Sequence, residues 1–184
     1  MATITLEKGS VYEGETLNGK PHGKGKITWI DGTIDEGDFV DFNLHGKGKR
    51  TFADGEFYEG DFVEDKFNGK GKYTFDDGGT DEGDFVNGHF HGKGKRTYPD
   101  GAVYEGHFVE SERFGKGKYT FANGDIYEGD FVEDEASGKG KRVYTDGYIY
   151  EGDFVKGKPN GKGKLTHPDG TVEEGNWKDG VFLG

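Results

Sequence analysis

No cysteine occurs in the sequence, which excludes a disulfide framework, a thiolate zinc site and a thiol nucleophile, and leaves the compartment unreadable from redox chemistry. Long apolar runs are missing too. With 24 Lys and Arg against 36 Asp and Glu, and a mean hydropathy of −0.91, no stretch can serve as a signal peptide or membrane helix. A soluble chain is expected, with the cytoplasm as its default location. The net charge of −12 removes the basic footprint that nucleic-acid binding needs. Aliphatic side chains are scarce: Ile, Leu, Val and Phe together make up about a fifth of the chain, the usual threshold for disorder at this charge.

What the sequence does have is 36 glycines and a 15% aromatic content. Disordered chains are poor in large rings, so order must come from an unusual core of Phe, Tyr and Gly. A search for self-similarity finds its basis. Glu-Gly pairs begin at Glu13, Glu36, Glu59, Glu82, Glu105, Glu128, Glu151 and Glu174, every step being 23 residues. Gly-Lys-Gly-Lys strings keep the same step from Gly23 to Gly161, and so does a turn glycine from Gly9 to Gly170, preceded by Asp or Asn everywhere except at Lys8. Each unit reads Tyr-Glu-Gly-Asp-Phe-Val, a five-residue connector, Gly-Lys-Gly-Lys-x-Thr-Phe and then x-Asp-Gly. Both halves alternate with period two, and Asp-Gly between them is a strong hairpin signal because it accepts positive φ. The expected fold is all-β: an elongated, single-layer antiparallel sheet of about 16 strands, built from 23-residue β-hairpins and curved or twisted by strand twist. One array is expected across 1–184, with a half repeat at 1–11, repeats at 12–34, 35–57, 58–80, 81–103, 104–126, 127–149 and 150–172, and a partial repeat at 173–184.

The residues Tyr58-Glu59-Gly60-Asp61-Phe62, then Asn68-Gly69-Lys70-Gly71, then Asp77-Gly78, resemble the MORN repeat (membrane occupation and recognition nexus). In that pattern Tyr, Gly and an aromatic share one strand, His-Gly-x-Gly lies on the next, and Asp-Gly makes the turn. This sequence departs from it in places. The Tyr is replaced by Asp35, Asp81 and Glu173, the Trp by Phe almost throughout and by Thr16 in the first copy, and the His by Asn68, Phe114, Ser137 and Asn160. The resemblance implies a scaffold that binds extended partners, self-associates or positions attached domains.

Alternation assigns the faces. Tyr58, Gly60 and Phe62 share one face, and Glu59 and Asp61 the other. If Gly48 opposes Gly60, Lys49 meets Glu59 and Lys47 meets Asp61. The 14 lysines of the Gly-Lys-Gly-Lys strings then lie in a cross-strand ladder with acids, not in a free basic patch. On the opposite face, rings are expected to lie over bare glycine backbone. A second regularity has period 46. The residue after each string runs Ile27, Arg50, Tyr73, Arg96, Tyr119, Arg142, Leu165, while the residue opening the partner strand runs Tyr12, Asp35, Tyr58, Asp81, Tyr104, Tyr127, Tyr150. The same register places Asp35 opposite Arg50, Tyr58 opposite Tyr73, Asp81 opposite Arg96 and Tyr104 opposite Tyr119, with Tyr127 opposite Arg142 breaking the code.

Catalytic patterns are present only as near misses. The Glu/Asp pairs have glycosidase-like spacing, but a general acid needs a unique environment and these recur in every unit. His22, His45 and His91 are too far apart to share an ion, and His89 with His91 offers a weak adventitious site at most. Gly14 to Lys20 and Gly152 to Lys158 match a phosphate-loop spacing, but Pro21 and Pro159 stand where Ser or Thr is required. No enzyme activity and no metal or other cofactor is expected.

The expected function is a non-catalytic interaction scaffold. A protein or peptide partner would meet the ring-bearing face through Tyr58, Phe62, Tyr73, Arg50, Arg96, Tyr104, Tyr119, Arg142 and Tyr150. Self-association would use an edge carrying Ile4 and Leu6. Two alternatives stand beside it: an engineered or consensus-like array without a natural ligand, and peripheral binding of an anionic membrane by the lysine face. The paired lysines and net negative charge disfavour membrane lipid.

Overall fold

A computed structural model describes all residues from 1 to 184. Apart from a single 3-10 turn at Glu7–Gly9, the regular structure is β, and the strands belong to one open antiparallel sheet of 17 strands. They are β1 (Ala2–Thr5), β2 (Val11–Leu17), β3 (Lys20–Thr28), β4 (Ile34–Val40), β5 (Asn43–Thr51), β6 (Phe57–Val63), β7 (Lys66–Thr74), β8 (Thr80–Val86), β9 (His89–Thr97), β10 (Val103–Val109), β11 (Glu112–Thr120), β12 (Ile126–Val132), β13 (Glu135–Val143), β14 (Ile149–Val155), β15 (Lys158–Thr166), β16 (Val172–Lys178) and β17 (Val181–Phe182). The short β17 raises the strand count above the expected 16; it pairs Phe182 with Trp177 and Val181 with Lys178.

The residues form two compact units, Met1–Phe90 and His91–Gly184. In the first, strands β1 to β8 pair in chain order. In the second, β9 to β17 do the same.

The two kinds of turn use different chemistry. At Asp54-Gly55, Gly55 N donates to the Phe52 carbonyl (3.0 Å) and Phe52 N donates to the Glu56 carbonyl (2.8 Å). Gly55 alone takes a positive φ, 97°, while the Asp54 carboxylate accepts the Glu56 N–H at 3.1 Å. Asp therefore serves as a side-chain cap of the turn and Gly as its left-handed residue. The expected five-residue connector is not a loop. It contains a two-residue turn, Glu64-Asp65, with φ of 49° and 63°, the backbone of a type I′ hairpin.

Pairing follows the expected register on one side of the glycines and shifts on the other. Gly48 faces Gly60, Lys49 faces Glu59 and Lys47 faces Asp61. Asp35 faces Arg50, Tyr58 faces Tyr73, Tyr104 faces Tyr119 and Tyr127 faces Arg142. In the hairpins closed by the two-residue turn the register shifts beyond the glycine pair: Gly60 faces Gly71 but Phe62 faces Phe67, so β7 spends two more residues than β6 there, whereas across the Asp-Gly turn Gly48 and Gly60 pair on to Gly46 and Phe62 without a shift. Asp61 holds this bulge together. One of its oxygens accepts the Lys70 N–H at 3.1 Å, and the other takes the Lys47 ammonium at 2.7 Å, so a single carboxylate ties three strands. Asp130 and Asp153 repeat the arrangement.

The core is the ring-bearing face. Tyr12, Tyr58, Tyr104 and Tyr150 are fully enclosed. The Tyr58 ring stacks on Phe67 at 3.9 Å between centroids and meets Phe62 and Phe85 edge-on. Its hydroxyl donates to the Asp61 carbonyl (3.1 Å), which satisfies the polar end. The ring lies across Gly60 and Gly71 so closely that a Cβ on Gly71 would sit 2.2 Å from the Tyr58 hydroxyl and 2.3 Å from Cζ.

These distances separate two roles of glycine. Gly71→Ala must displace Tyr58 and is expected to cost about 3 kcal/mol. Gly78→Ala, at a turn with φ of 87° and open space around the site, should cost only about 1 kcal/mol of backbone strain. Denaturant unfolding of the two variants measures the difference, and equal losses would show that the ring does not rest on the glycine pair.

Candidate functional site

Fully enclosed rings cannot meet a partner. Tyr58, Phe62, Tyr104 and Tyr150 are each at most 1% exposed and belong to the core. Tyr73, Tyr119, Arg50, Arg96 and Arg142 are half-buried on the same face, and so are Ile4 and Leu6 near the start of the chain. A row of further aromatic residues also reaches the surface, two residues beyond the period-46 position. It comprises Trp29, Phe52 and Phe75 in the first unit and Tyr98, Phe121 and Tyr144 in the second. Each lies just after a second strand, at its turn. The alternation that put Tyr73 on this face also puts Phe75 there, so the row follows from the sequence once each strand is carried two residues further.

The arginines differ in how much of their hydrogen-bonding capacity is taken up. Arg50 grips Asp35 with two bonds (Nε, 2.6 Å; NH2, 2.9 Å) and donates from NH1 to the Asp65 carbonyl (3.2 Å). Trp29 Nε1 adds a third bond to buried Asp35 at 2.7 Å. Arg50 is thus a structural ion pair that joins strands, and the nearby Asp65 carboxyl is raised above its usual range by burial.

Arg142 has no acid opposite it, because Tyr127 occupies that place. It takes instead Asp125, two residues earlier on the same face, at 2.9 Å. Burial raises the Asp125 carboxyl, but the bonds from Thr145 N–H and Arg142 outweigh that and lower it below its usual value. The Arg142 guanidinium lies between Phe121 (4.4 Å) and Tyr144 (4.6 Å), and its Nε is buried without a hydrogen-bond partner. Arg113 is a further cation of this face that the period-46 list does not include. It occupies the place held by Leu44 and Phe67 in the first unit, bonds Asp134 at 2.9 Å, and lies 5.1 Å from the Tyr119 ring centre and 5.4 Å from that of Phe131.

The opposite face carries the charge ladder. Lys24–Asp38 (2.8 Å), Lys70–Asp84 (2.6 Å), Lys26–Glu36 (3.2 Å) and Lys141–Glu151 (3.2 Å) are cross-strand pairs of the expected kind. Lysines held this way offer a membrane surface less than their number suggests. No group of three or more His, Asp or Glu is placed to share a metal ion.

Hairpins repeated at a fixed step, tyrosine rings laid over paired glycines and a charge ladder outside define a β-hairpin repeat protein. Segments 12–34, 36–57, 58–80, 82–103, 104–126, 127–147 and 150–172 match the MORN repeat model, and the chain belongs to the MORN-repeat family. The second and fourth matches begin just after Asp35 and Asp81, where the usual Tyr is absent.

Among solved structures, the chain is similar to the TCP domain of Drosophila melanogaster SAS-4 (dCPAP), determined in complex with a proline rich motif of Ana2 (dSTIL). The TM-score is 0.52 at 16% identity, over 96% of this chain and 90% of that one. The wild-type TCP10 domain of Danio rerio CPAP matches with a TM-score of 0.31 at 15% identity, over 95% and 94% of the two chains. The first likeness speaks to the fold alone. No curated protein matches the sequence.

Burial pushes the core tyrosine hydroxyls up, to about 12 at Tyr104, Tyr127 and Tyr150 against an ordinary value of 10.0. A raised tyrosine leaves stability intact below the unfolded value and removes it as pH climbs through the folded one. Stability should therefore fall between pH 10 and about 12, with tyrosinate absorbance rising together with loss of β circular dichroism. Full tyrosine ionisation near pH 10 with the sheet intact would contradict the enclosed core.

Proposed function

We propose that this protein is a non-catalytic scaffold that binds an extended, proline-rich peptide across its strands, on the aromatic face. The observation that carries this reading is the spacing of the half-buried rings. Tyr98, Phe121 and Tyr144 stand one repeat apart on the second unit, as Trp29, Phe52 and Phe75 do on the first. One repeat is two strands, or about 9.6 Å. A polyproline II helix turns every three residues and rises about 9.3 Å per turn, so every third side chain would meet an equivalent ring. Proline suits such a row because it stacks on aromatic faces and loses little conformational entropy on binding. Support from comparison is of the same kind: the SAS-4 TCP domain, which shares this fold, was determined with a proline rich motif bound.

A peptide library with proline at every third position, set against the same library with glycine there, tests the reading. The protein should enrich the proline library, and Phe121→Ala/Tyr144→Ala should abolish that enrichment while leaving the circular dichroism of the sheet unchanged. Equal retention of the two libraries would overturn it.

A further inference from the structure

The second strand of each repeat carries one residue that faces the core phenylalanine across the bulge. In the first unit Leu44 faces Phe39 and Phe67 faces Phe62; in the second Arg113 faces Phe108, Ala136 faces Phe131 and Pro159 faces Phe154. Where this residue is Phe67, its ring covers the face of Tyr58 at 3.9 Å. Where it is Ala136, Tyr127 keeps edge contacts with Phe131 (5.2 Å) and Phe154 (4.9 Å) but has no stacked ring. The space so left is a cavity of about 310 Å³, lined by Ala136, Tyr127, Phe121, Arg113, Arg142 and others.

Two guanidiniums border this cavity, and both are fixed. Arg142 is held between Phe121 and Tyr144 and tied to Asp125 through NH2, and Arg113 is tied to Asp134. Arg142 Nε is itself enclosed with no partner, so a bound acceptor would meet the exposed part of the side chain, which is 23% accessible. Lys156 stands at the rim, and the acids Asp134 and Glu135 also line the space, so the site suits a single carboxylate and not a highly charged group.

One repeat further along lies an equivalent cavity of about 220 Å³. Its lining shifts each position by 23 residues: Tyr144 for Phe121, Tyr150 for Tyr127, Pro159 for Ala136 and Leu165 for Arg142. Replacement of Arg142 by Leu165 removes the cation and leaves a lining that is mostly aromatic and aliphatic, with Asp146 as its one charged residue. The pair therefore reads as one cavity with cations and one without, about 9.6 Å apart by strand spacing.

We propose that the Ala136 cavity binds the carboxylate of a Glu or Asp side chain in a peptide partner, with a proline or leucine three residues away seated in the neighbouring Tyr150 cavity. This rests on the peptide-binding reading above and adds a charge rule to it. The order of the two ligand residues is fixed by the direction in which the peptide runs, so both orders belong in the test.

Eight synthetic peptides distinguish this rule from the proline reading. They carry Glu or Gln, three residues from Leu, in a proline-rich or a glycine-rich framework, each made in both orders. The protein should prefer Glu over Gln by about tenfold, as a charge-assisted hydrogen bond implies, in whichever framework binds. Ala136→Phe places the repeat's own ring in the cavity; it should fold at least as stably and erase the Glu preference. Arg142→Gln should erase it as well, and a thermal melt shows whether its sheet is retained. Equal affinity for Glu and Gln peptides, including no affinity for either, would overturn the carboxylate site. A Glu preference that persists in Ala136→Phe would overturn its location. Loss of the proline preference with the Glu preference kept would overturn the proline reading alone.

Discussion

The contact on which the rest depends is a tyrosine ring lying flat across two facing glycines. A single sheet face has no second layer to bury it, so the residues must supply both floor and cover from one surface. Paired glycines lower the floor by leaving the backbone bare, and the ring from two residues earlier folds down into the space. Tyr58 over Gly60 and Gly71 is the clearest example, and a Cβ at either glycine would collide with it. Phenylalanines then close the edges, Phe62 from the same strand and Phe85 from the next repeat. This makes a core from aromatics and glycine, and explains how a chain so poor in aliphatic residues orders itself.

The same contact sets the register and the charge pattern. With Gly60 required opposite Gly71, the strand has no freedom to slip, because a shift of one residue would put a lysine under the ring. The two extra residues of the second strand are taken up just beyond the glycines, and Asp61 joins the exposed bulge N–H to the lysine of the preceding hairpin. The acid of the Tyr-Glu-Gly-Asp string is thus a structural clasp as well as a rung of the ladder. At His107, which replaces it, Lys93 faces an imidazole instead.

Period, strand type, face and glycine register were all legible, because each follows from a two-residue alternation repeated without insertion. The Arg50 pair was legible for the same reason: Asp35 lies directly opposite. Three features were not, and each depends on an interaction that pairing positions do not encode. The bulge hides where the five-residue connector meets the Gly-Lys-Gly-Lys string, since nothing in Asn68-Gly69 distinguishes a bulge from a loop. Asp125 reaches Arg142 along the diagonal of the sheet, which alternation allows but directly opposed positions do not single out. The enclosure of Tyr58 and Tyr104 depends on rings from neighbouring repeats, so a face assignment places these residues without saying which of them remain exposed.

A regular array also determines where function can sit. The paired glycines recur throughout the array, whereas the position that lays a ring over them is Tyr in five copies and Asp35, Asp81 or Glu173 in the other three. Two further positions of this face vary as well: the residue facing the core phenylalanine and the one after each Gly-Lys-Gly-Lys string. Across the second unit the first of these runs Arg113, Ala136, Pro159 and the second runs Tyr119, Arg142, Leu165. A ring at the first position fills the surface, as Phe67 does, whereas alanine opens it. The second position then gives the opening its charge. On the peptide-binding reading proposed above, specificity is a linear pattern of fillings and openings at a fixed step, and an extended partner is the kind of ligand whose own side chains recur at a comparable step.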